Sequence, residues 1–126
     1  MKNPDVLLFF NETAAALPLF EAFEKRLEET VGEFSVRVQK TQITYSNRHV
    51  FACVSFLKVR KAKQRPPVYI VVTFGLNRKV DSPRVEAAVE AYPGRWTHHV
   101  LIDRQEDIDD ELLSWIREAY AFSASK

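Results

Sequence analysis

The chain has 126 residues and a net charge of +1, with 46% hydrophobic and 28% charged residues. This composition is ordinary for one globular domain, so we predict a single domain over residues 1–126 and exclude disordered, collagen-like and coiled-coil architectures. No apolar run reaches the ~18 residues of a membrane span, and the first residues lack the apolar stretch of a signal peptide. We therefore expect a cytoplasmic protein without a membrane partner.

The small net charge hides a strong segregation along the chain. Residues 34–80 hold ten Lys/Arg and no Asp/Glu, whereas the balance is −4 in residues 1–33 and −5 in residues 81–126. Because local potential governs local binding, the middle segment indicates an anionic partner, either a nucleic acid or a small molecule that bears a phosphate or carboxylate. The alternative is that acidic helices and basic strands neutralise each other at the surface.

The N-terminal third predicts two helices. Asn3 and Pro4 are a typical N-cap and first helical residue, so a short helix is expected directly after them. A longer helix over residues 15–31 is expected because apolar residues recur every three or four positions. These residues are Leu17, Phe20, Phe23, Leu27 and Val31. Gly32 is predicted to end this helix in a left-handed conformation.

From Phe34 onward the hydrophobic period changes to two, which predicts β-strands. We expect strands at residues 34–38, 43–45, 49–58, 68–76 and 96–102. The segment 83–91 begins like a helix at Ser82-Pro83, but its alternating Val and Ala residues favour a strand. Pro93-Gly94 then predicts a turn.

The chain is predicted to end in a helix over residues 107–121, with Asp107 as its N-cap. One face of this helix is apolar: Ile108, Leu112, Trp115, Ile116 and Ala119. Most connections between the strands are too short for parallel crossovers. We therefore predict an α+β fold in which a mostly antiparallel sheet of five or six strands packs against N- and C-terminal helices, with Phe20, Phe23, Leu112 and Trp115 in the core.

Residues 58–67, between two central strands, form a basic loop. Its bases are Lys58, Arg60, Lys61, Lys63 and Arg65. Pro66-Pro67 cannot donate to a sheet, so we predict an exposed, mobile loop held away from it. With Tyr45, Phe51 and Trp96 as stacking groups, the loop suits weak, salt-sensitive binding of nucleic acid. The alternative is a solvated loop that binds nothing.

Few residue types in this chain suit covalent or metal chemistry. Cys53 lies in the middle of a strand without a basic neighbour, which is typical of a buried structural thiol. With one cysteine and three histidines, we expect no metal site and no cofactor. His98 and His99 are adjacent on a strand, so their side chains point to opposite faces. We expect one to be structural and the other to face a pocket.

Two polar segments are the candidate ligand site. They are Lys40-Thr41-Gln42 and Arg95-Trp96-Thr97-His98-His99. Together at one edge of the sheet, these groups suit a carboxylate, a phosphate or a nucleobase, which predicts a non-enzymatic binding module for an anion. One alternative is an enzyme in which a histidine is the general base while Lys40 and Arg95 hold an anionic substrate. Others are a protein-binding module, or polar groups that only satisfy one another.

Several segments resemble an uncharacterised bacterial family of domains of unknown function. They are Leu17-Pro18-Leu19-Phe20-Glu21, Lys40-Thr41-Gln42-Ile43, Phe74-Gly75-Leu76, Tyr92-Pro93-Gly94-Arg95-Trp96-Thr97-His98-His99 and Asp109-Asp110-Glu111-Leu112-Leu113-Ser114-Trp115. Proteins of that family occur alone and as C-terminal appendages of so-called predicted transport proteins. The resemblance implies one complete α+β domain. It also implies a polar signature of Lys40, Thr41, Gln42, Arg95, Thr97, His98 and His99, but no reaction and no catalytic residue.

Overall fold

The computed structural model describes residues 3–126, which form three α-helices and six strands. The helices are α1 (Pro4–Phe9), α2 (Leu17–Thr30) and α3 (Asp110–Ala124). The strands are β1 (Ser35–Val38), β2 (Gln42–Ser46), β3 (Val50–Ser55), β4 (Ile70–Leu76), β5 (Val85–Tyr92) and β6 (Arg95–Ile102). Asn3 caps α1 through a 2.8 Å hydrogen bond from the Asp5 backbone N–H, as predicted.

The six strands form one antiparallel sheet in the order β1-β2-β3-β4-β6-β5. The α+β prediction is confirmed, and the ambiguous segment 83–91 falls largely in a strand, β5. The chain passes from β4 to the sheet edge as β5 and returns as β6 between the two. Gly94, at φ +83°, makes the tight turn between β5 and β6. This order places β6 directly beside β4.

Side chains of the strands alternate between the two faces of the sheet. Residues of α2 and α3 form the hydrophobic core together with the side chains of one of these faces, which we call the helical face. The strands supply Ile43, Tyr45, Val54, Ile70, Val72, Phe74, Leu76, Val100 and Ile102 to this core. The helices supply Phe20, Phe23, Leu27, Leu112, Trp115 and Ile116. The predicted core residues Phe20, Phe23, Leu112 and Trp115 are therefore confirmed. We call the opposite side of the sheet the second face.

The predicted left-handed end of α2 at Gly32 is wrong. The helix ends at Thr30, and the next residue, Val31, is extended at φ −116° and ψ 170°. Gly32 does not have a positive φ, since Gly94 is the one glycine in residues 3–126 that does. The chain leaves α2 in an extended conformation at Val31 and reaches β1 after residues 31–34, so the helix ends without a left-handed residue. The hydroxyl of Tyr120 stabilises this exit by donating a 2.6 Å hydrogen bond to the Glu33 carbonyl.

The N-cap of α3 is Asp109, so the prediction of Asp107 is wrong. A carboxylate oxygen of Asp109 accepts a 3.0 Å hydrogen bond from the Leu112 N–H and another, 2.6 Å long, from Arg84. Burial alone would raise the pKa of Asp109, but these hydrogen bonds and the positive charge of Arg84 together outweigh it, and the pKa lies below its ordinary value. Asp107 instead ends a short 3₁₀ turn before the helix.

Candidate functional site

A pocket of about 590 Å³ on the second face is bordered by residues from both predicted polar segments. Its polar lining consists of Lys40, Thr41, Gln42, Cys53, Ser55, Thr73, Thr97 and His99. Phe9, Phe56 and Leu57 form an apolar wall. The volume lies within the usual range for small-molecule sites, and none of the lining residues is acidic.

Lys40 enters the pocket from the connection between β1 and β2, which a local hydrogen-bond network holds together. The Gln39 N–H donates to the Gln42 carbonyl over 2.8 Å. The amide nitrogen of Gln42 donates to the hydroxyl of Thr44 over 2.9 Å, and that hydroxyl donates to the Gln39 side-chain oxygen over 2.6 Å. The amide donors of Gln42 are therefore engaged within the connection, and Lys40 is the exposed cation beside the pocket.

The floor of the pocket is a row of side chains that lie opposite one another on adjacent strands. Thr44 of β2 faces Cys53 of β3, which faces Thr73 of β4, which faces His99 of β6. The hydroxyl of Thr73 lies 2.8 Å from Nδ1 of His99, and its interaction with the neighbouring Cys53 thiol lowers the pKa of that thiol. This row connects a thiol, a hydroxyl and an imidazole across three strands.

The direction of the Thr73 hydroxyl hydrogen sets the tautomer of His99. If this hydrogen points to Cys53, the hydroxyl accepts the Nδ1–H of His99, whose Nε2 is then an acceptor. If the hydrogen points to His99, Nδ1 accepts it and Nε2 carries the ring proton. His99 therefore offers a ligand either a donor or an acceptor, according to the arrangement of this row.

Burial sets the charge states of the pocket floor. It lowers the pKa of His99, so the ring is neutral at neutral pH. Burial also raises the pKa of Cys53, and the opposing effects of the Thr73 hydrogen bond and the Arg95 charge are smaller. Cys53 is buried, as predicted, and lines the pocket as a neutral thiol rather than a thiolate nucleophile.

His98 and Trp96 lie on the helical face, because alternation along β6 separates them from Arg95, Thr97 and His99. His98 is fully buried, and its Nε2 accepts a 2.9 Å hydrogen bond from the Val80 N–H. Its ring stacks on Phe74 with centroids 5.1 Å apart. Half-buried Trp96 has the Lys79 ammonium 5.7 Å from its ring centroid. Neither residue borders the pocket on the second face.

Arg95 lies at the end of the pocket, against the backbone of β4. A Cβ atom added to Gly75 would lie 2.6 Å from Arg95 Nε and 2.8 Å from its Cζ, so the guanidinium covers this glycine. Gly75 is directly opposite Thr97, which lines the pocket. Arg95 Cζ also lies 6.0 Å from the centroid of the Tyr92 ring. The structure thus brings Arg95 next to the pocket without making it part of the lining.

The basic loop at residues 58–67 is tied to β5, so the expectation that it is held away from the sheet is wrong. Arg60 donates two hydrogen bonds to the Glu86 carboxylate, 2.6 and 3.0 Å long. Glu86 neutralises one of the five predicted loop charges. Lys58, Lys61 and Lys63 are exposed, whereas Nε of Arg65 is buried.

The prediction that Tyr45 and Phe51 are available for stacking is also wrong. Their side chains are 0% and 1% exposed and lie in the core. Phe51 packs edge-on against Tyr120, and the Tyr45 hydroxyl donates a 2.9 Å hydrogen bond to Glu24. No base could stack on either ring without displacing the core around it.

A family described as a domain of unknown function (DUF5655) has a sequence model that matches residues 8–123. The chain belongs to this family. The match includes both polar segments and all six strands of this DUF5655 domain. No curated protein and no solved structure matches the chain significantly.

Sequence reasoning missed two β4 residues at the site of the DUF5655 domain, Thr73 and Gly75. The sequence did carry a signal for these two residues. They are the non-apolar positions of an otherwise apolar strand, and because they are two residues apart, they lie on the same face of it. Ser55 of β3 has the same character at the end of its strand. A hydroxyl or a glycine inside a buried strand often lies where a polar group or a ligand approaches the sheet.

Two further findings on the DUF5655 domain concern membranes and metals. Within residues 3–126, no helix has the length and apolar character that crossing a membrane requires. The same part of the chain contains no cluster of three His, Cys, Asp or Glu side chains arranged to hold a metal ion.

Proposed function

We propose that this DUF5655 domain is a binding module for a small organic anion, which it holds in the pocket of the second face. The observation that carries the proposal is the pocket lining, which combines an exposed lysine with hydroxyl and imidazole groups and includes no carboxylate. A lysine with no carboxylate within 4.0 Å among residues 3–126, in a pocket whose lining includes no acid, favours a negatively charged ligand, although Asp5 and Glu12 line the neighbouring pocket that Lys40 also borders. The alternative to ligand binding is that these polar groups only satisfy one another. It does not account for Lys40, which has no carboxylate partner among residues 3–126.

Each part of the pocket has a role in this proposal. The Lys40 ammonium supplies a mobile point charge with three donors, which suits a carboxylate or a phosphate. Thr97 and His99 offer uncharged hydrogen-bonding groups further along the pocket. The wall of Phe9, Phe56 and Leu57 supplies apolar surface for a hydrocarbon part of the ligand. The favoured ligand is therefore an anion with a carbon skeleton rather than a bare inorganic ion.

One geometric feature favours a second candidate function, catalysis with His99 as general base. The 2.8 Å contact with Thr73 orients the ring, and the lowered pKa keeps it neutral and able to accept a proton. Binding is the better supported function because the adjacent Cys53 thiol has a raised pKa and supplies no activated nucleophile. Chemical change of a bound anion, abolished in His99→Gln, is the result that would favour the enzyme.

Lys40→Met tests the proposed pocket directly. Wild-type protein is expected to bind octanoate in an isothermal titration, and the variant is expected to bind it about tenfold more weakly because a partly exposed ion pair contributes about 1–2 kcal/mol. Lys61→Met is the matched control, since Lys61 is an exposed lysine of the basic loop and does not line the pocket. Equal affinities in wild type and Lys40→Met, or no binding of carboxylates or phosphates by wild type, would contradict the proposal.

A nucleic acid is the second anionic partner that the charge pattern suits. It would bind at Lys58, Lys61 and Lys63, which are exposed and have no carboxylate within 4.0 Å in residues 3–126. Changing all three to Glu is expected to remove a low-salt mobility shift, whereas Arg60 is kept because it pairs with Glu86. In wild type, log K should fall by roughly 0.9 per duplex phosphate contact for each unit of log salt. The absence of any shift with duplex or single strand would rule this partner out.

A further inference from the structure

A buried glycine in β4 allows an arginine to lie flat against the sheet. Gly75 is in the middle of the strand order, where a side chain would otherwise fill the second face. The Arg95 guanidinium takes that space, because a Cβ on residue 75 would lie less than 3 Å from its Nε and Cζ. Glycine inside a strand is typical of such a close approach. The guanidinium is therefore positioned by the backbone rather than loose in solvent.

This arginine also has no carboxylate counterion, as is true of five of the ten arginines within residues 3–126. The arginines that pair with a carboxylate are Arg26, Arg60, Arg78, Arg84 and Arg104. Within residues 3–126, no carboxylate oxygen lies within 4.0 Å of the Arg95 guanidinium. Its charge acts on the pocket, since it lowers the pKa of Cys53 against the larger effect of burial. A planar guanidinium in a fixed position is suited to two parallel hydrogen bonds with a carboxylate or phosphate.

The strand pairing places Arg95 and Lys40 at opposite ends of one polar path. Gly75 and Thr97 form one cross-strand pair, and Thr73 and His99 form the pair two residues further along. The pair of Gln42 and Ser55 lies a further two residues along, on the other side of the row that contains Thr73 and His99, and Gln42 is close in sequence to Lys40. Successive pairs on one face are about 7 Å apart, so the Gly75–Thr97 and Gln42–Ser55 pairs are separated by roughly 14 Å along the strands and by about 10 Å across them.

We propose that Arg95, positioned by Gly75, is a second anion subsite and that the ligand of this domain is an elongated dianion. One acidic group of the ligand binds at Lys40, the other binds at Arg95, and the chain between them passes Thr97 and His99. This inference rests on the proposed function and narrows its ligand class. The acidic groups are carboxylates or phosphates, since the guanidinium recognises both through the same paired hydrogen bonds.

The ligand class is tested by titrating the protein with matched linear acids. Suberate and sebacate carry an acidic group at both ends, whereas octanoate and decanoate have the same chain lengths with one. Wild type is expected to bind the diacids about tenfold to hundredfold more tightly, as a charge-assisted pair of hydrogen bonds predicts. Arg95→Met is expected to lower diacid affinity to the monoacid level and leave monoacid affinity unchanged. Alkane bisphosphonates of similar length distinguish phosphate ends from carboxylate ends.

Gly75→Ala separates the position of the guanidinium from its charge. The added Cβ displaces Arg95 without removing it, so this variant is expected to lose diacid preference as Arg95→Met does. Arg117→Met is the matched control, because Arg117 is an exposed arginine of α3, which packs on the helical face. A thermal melt verifies that each variant is folded, and if Gly75→Ala does not fold, the result for Arg95→Met decides.

The outcomes separate this inference from the proposed function. If wild type binds diacids and monoacids equally, or if Arg95→Met changes neither, the second subsite is refuted. Should Lys40→Met still weaken monoacid binding in that case, the proposed function survives. Failure of wild type to bind any of these acids refutes both.

Discussion

Replacing Trp115 by alanine is expected to lower the free energy of unfolding by ~3–5 kcal/mol, the usual cost of removing a large aromatic side chain from a core. The indole projects from α3 and is 7% exposed. It stacks on Phe74 of β4 with centroids 5.8 Å apart and planes 22° apart, and Phe74 stacks in turn on His98. Alanine would open a cavity between the helix and the centre of the sheet. Urea denaturation measures the change.

Two neighbouring variants make the Trp115 result specific. Trp115→Phe keeps an aromatic ring against Phe74 and is expected to cost clearly less than the alanine variant. Ser114→Ala, at the exposed position before it, is expected to lie within about 0.5 kcal/mol of wild type. A loss below about 1 kcal/mol in Trp115→Ala would contradict the packing of α3 on the sheet.

Hydrophobic period was sufficient to predict the elements of this fold but not their order in the sheet. Alternation identified the strands because each side chain of a strand has only two directions to point. The position of β6 between β4 and β5 depends on which strands pair after collapse, which no local pattern encodes. That position brings Thr73 beside His99 and Gly75 beside Thr97. The floor of the pocket could not be predicted for the same reason.

The two histidines show where alternation stops being informative. It predicts that His98 and His99 face opposite sides, but the residues after them, Val100, Leu101 and Ile102, are apolar on both parities. The sequence therefore does not indicate which histidine faces the core. The structure places His98 in the core, where Val80 and Phe74 contact it, and His99 in the pocket.

Helix ends were the least predictable feature, because several residues compete for one role. Asp107 and Asp109 both precede the apolar stripe of α3, and either spacing suits an N-cap. Arg84, 25 residues earlier in the chain, pairs with Asp109 at 2.6 Å and directly precedes the β5–β6 hairpin, whereas Asp109 follows it. This tertiary contact supports Asp109 as the cap and cannot be derived from the local sequence.

His98→Phe is expected to lower the free energy of unfolding by about 1–2 kcal/mol, because the buried Val80 N–H loses its acceptor and removal of the buried Nδ1, which has no partner within residues 3–126, offsets only part of that cost. Phenylalanine keeps a ring in place to stack on Phe74, so packing is largely retained. It lacks the Nε2 atom that accepts the 2.9 Å hydrogen bond from the buried Val80 N–H. His98→Ala removes the ring as well and is expected to cost more, about 3–5 kcal/mol. Denaturation near pH 8 measures both, and a neutral His98→Phe would refute a structural role for this hydrogen bond.

The same histidine predicts a dependence of stability on pH. Burial lowers the pKa of His98 below its ordinary value of 6.5, although the backbone of Phe74 and Trp96 partly opposes this. Above about pH 7 the ring is neutral in both the folded and the unfolded chain, so its contribution is constant. As pH falls through 6.5, the unfolded chain binds a proton that the folded chain does not, and stability is lost until the folded-state pKa is passed. The stability advantage of wild type over His98→Phe should therefore shrink between about pH 8 and about pH 5, and a constant difference would show that His98 does not titrate in this way.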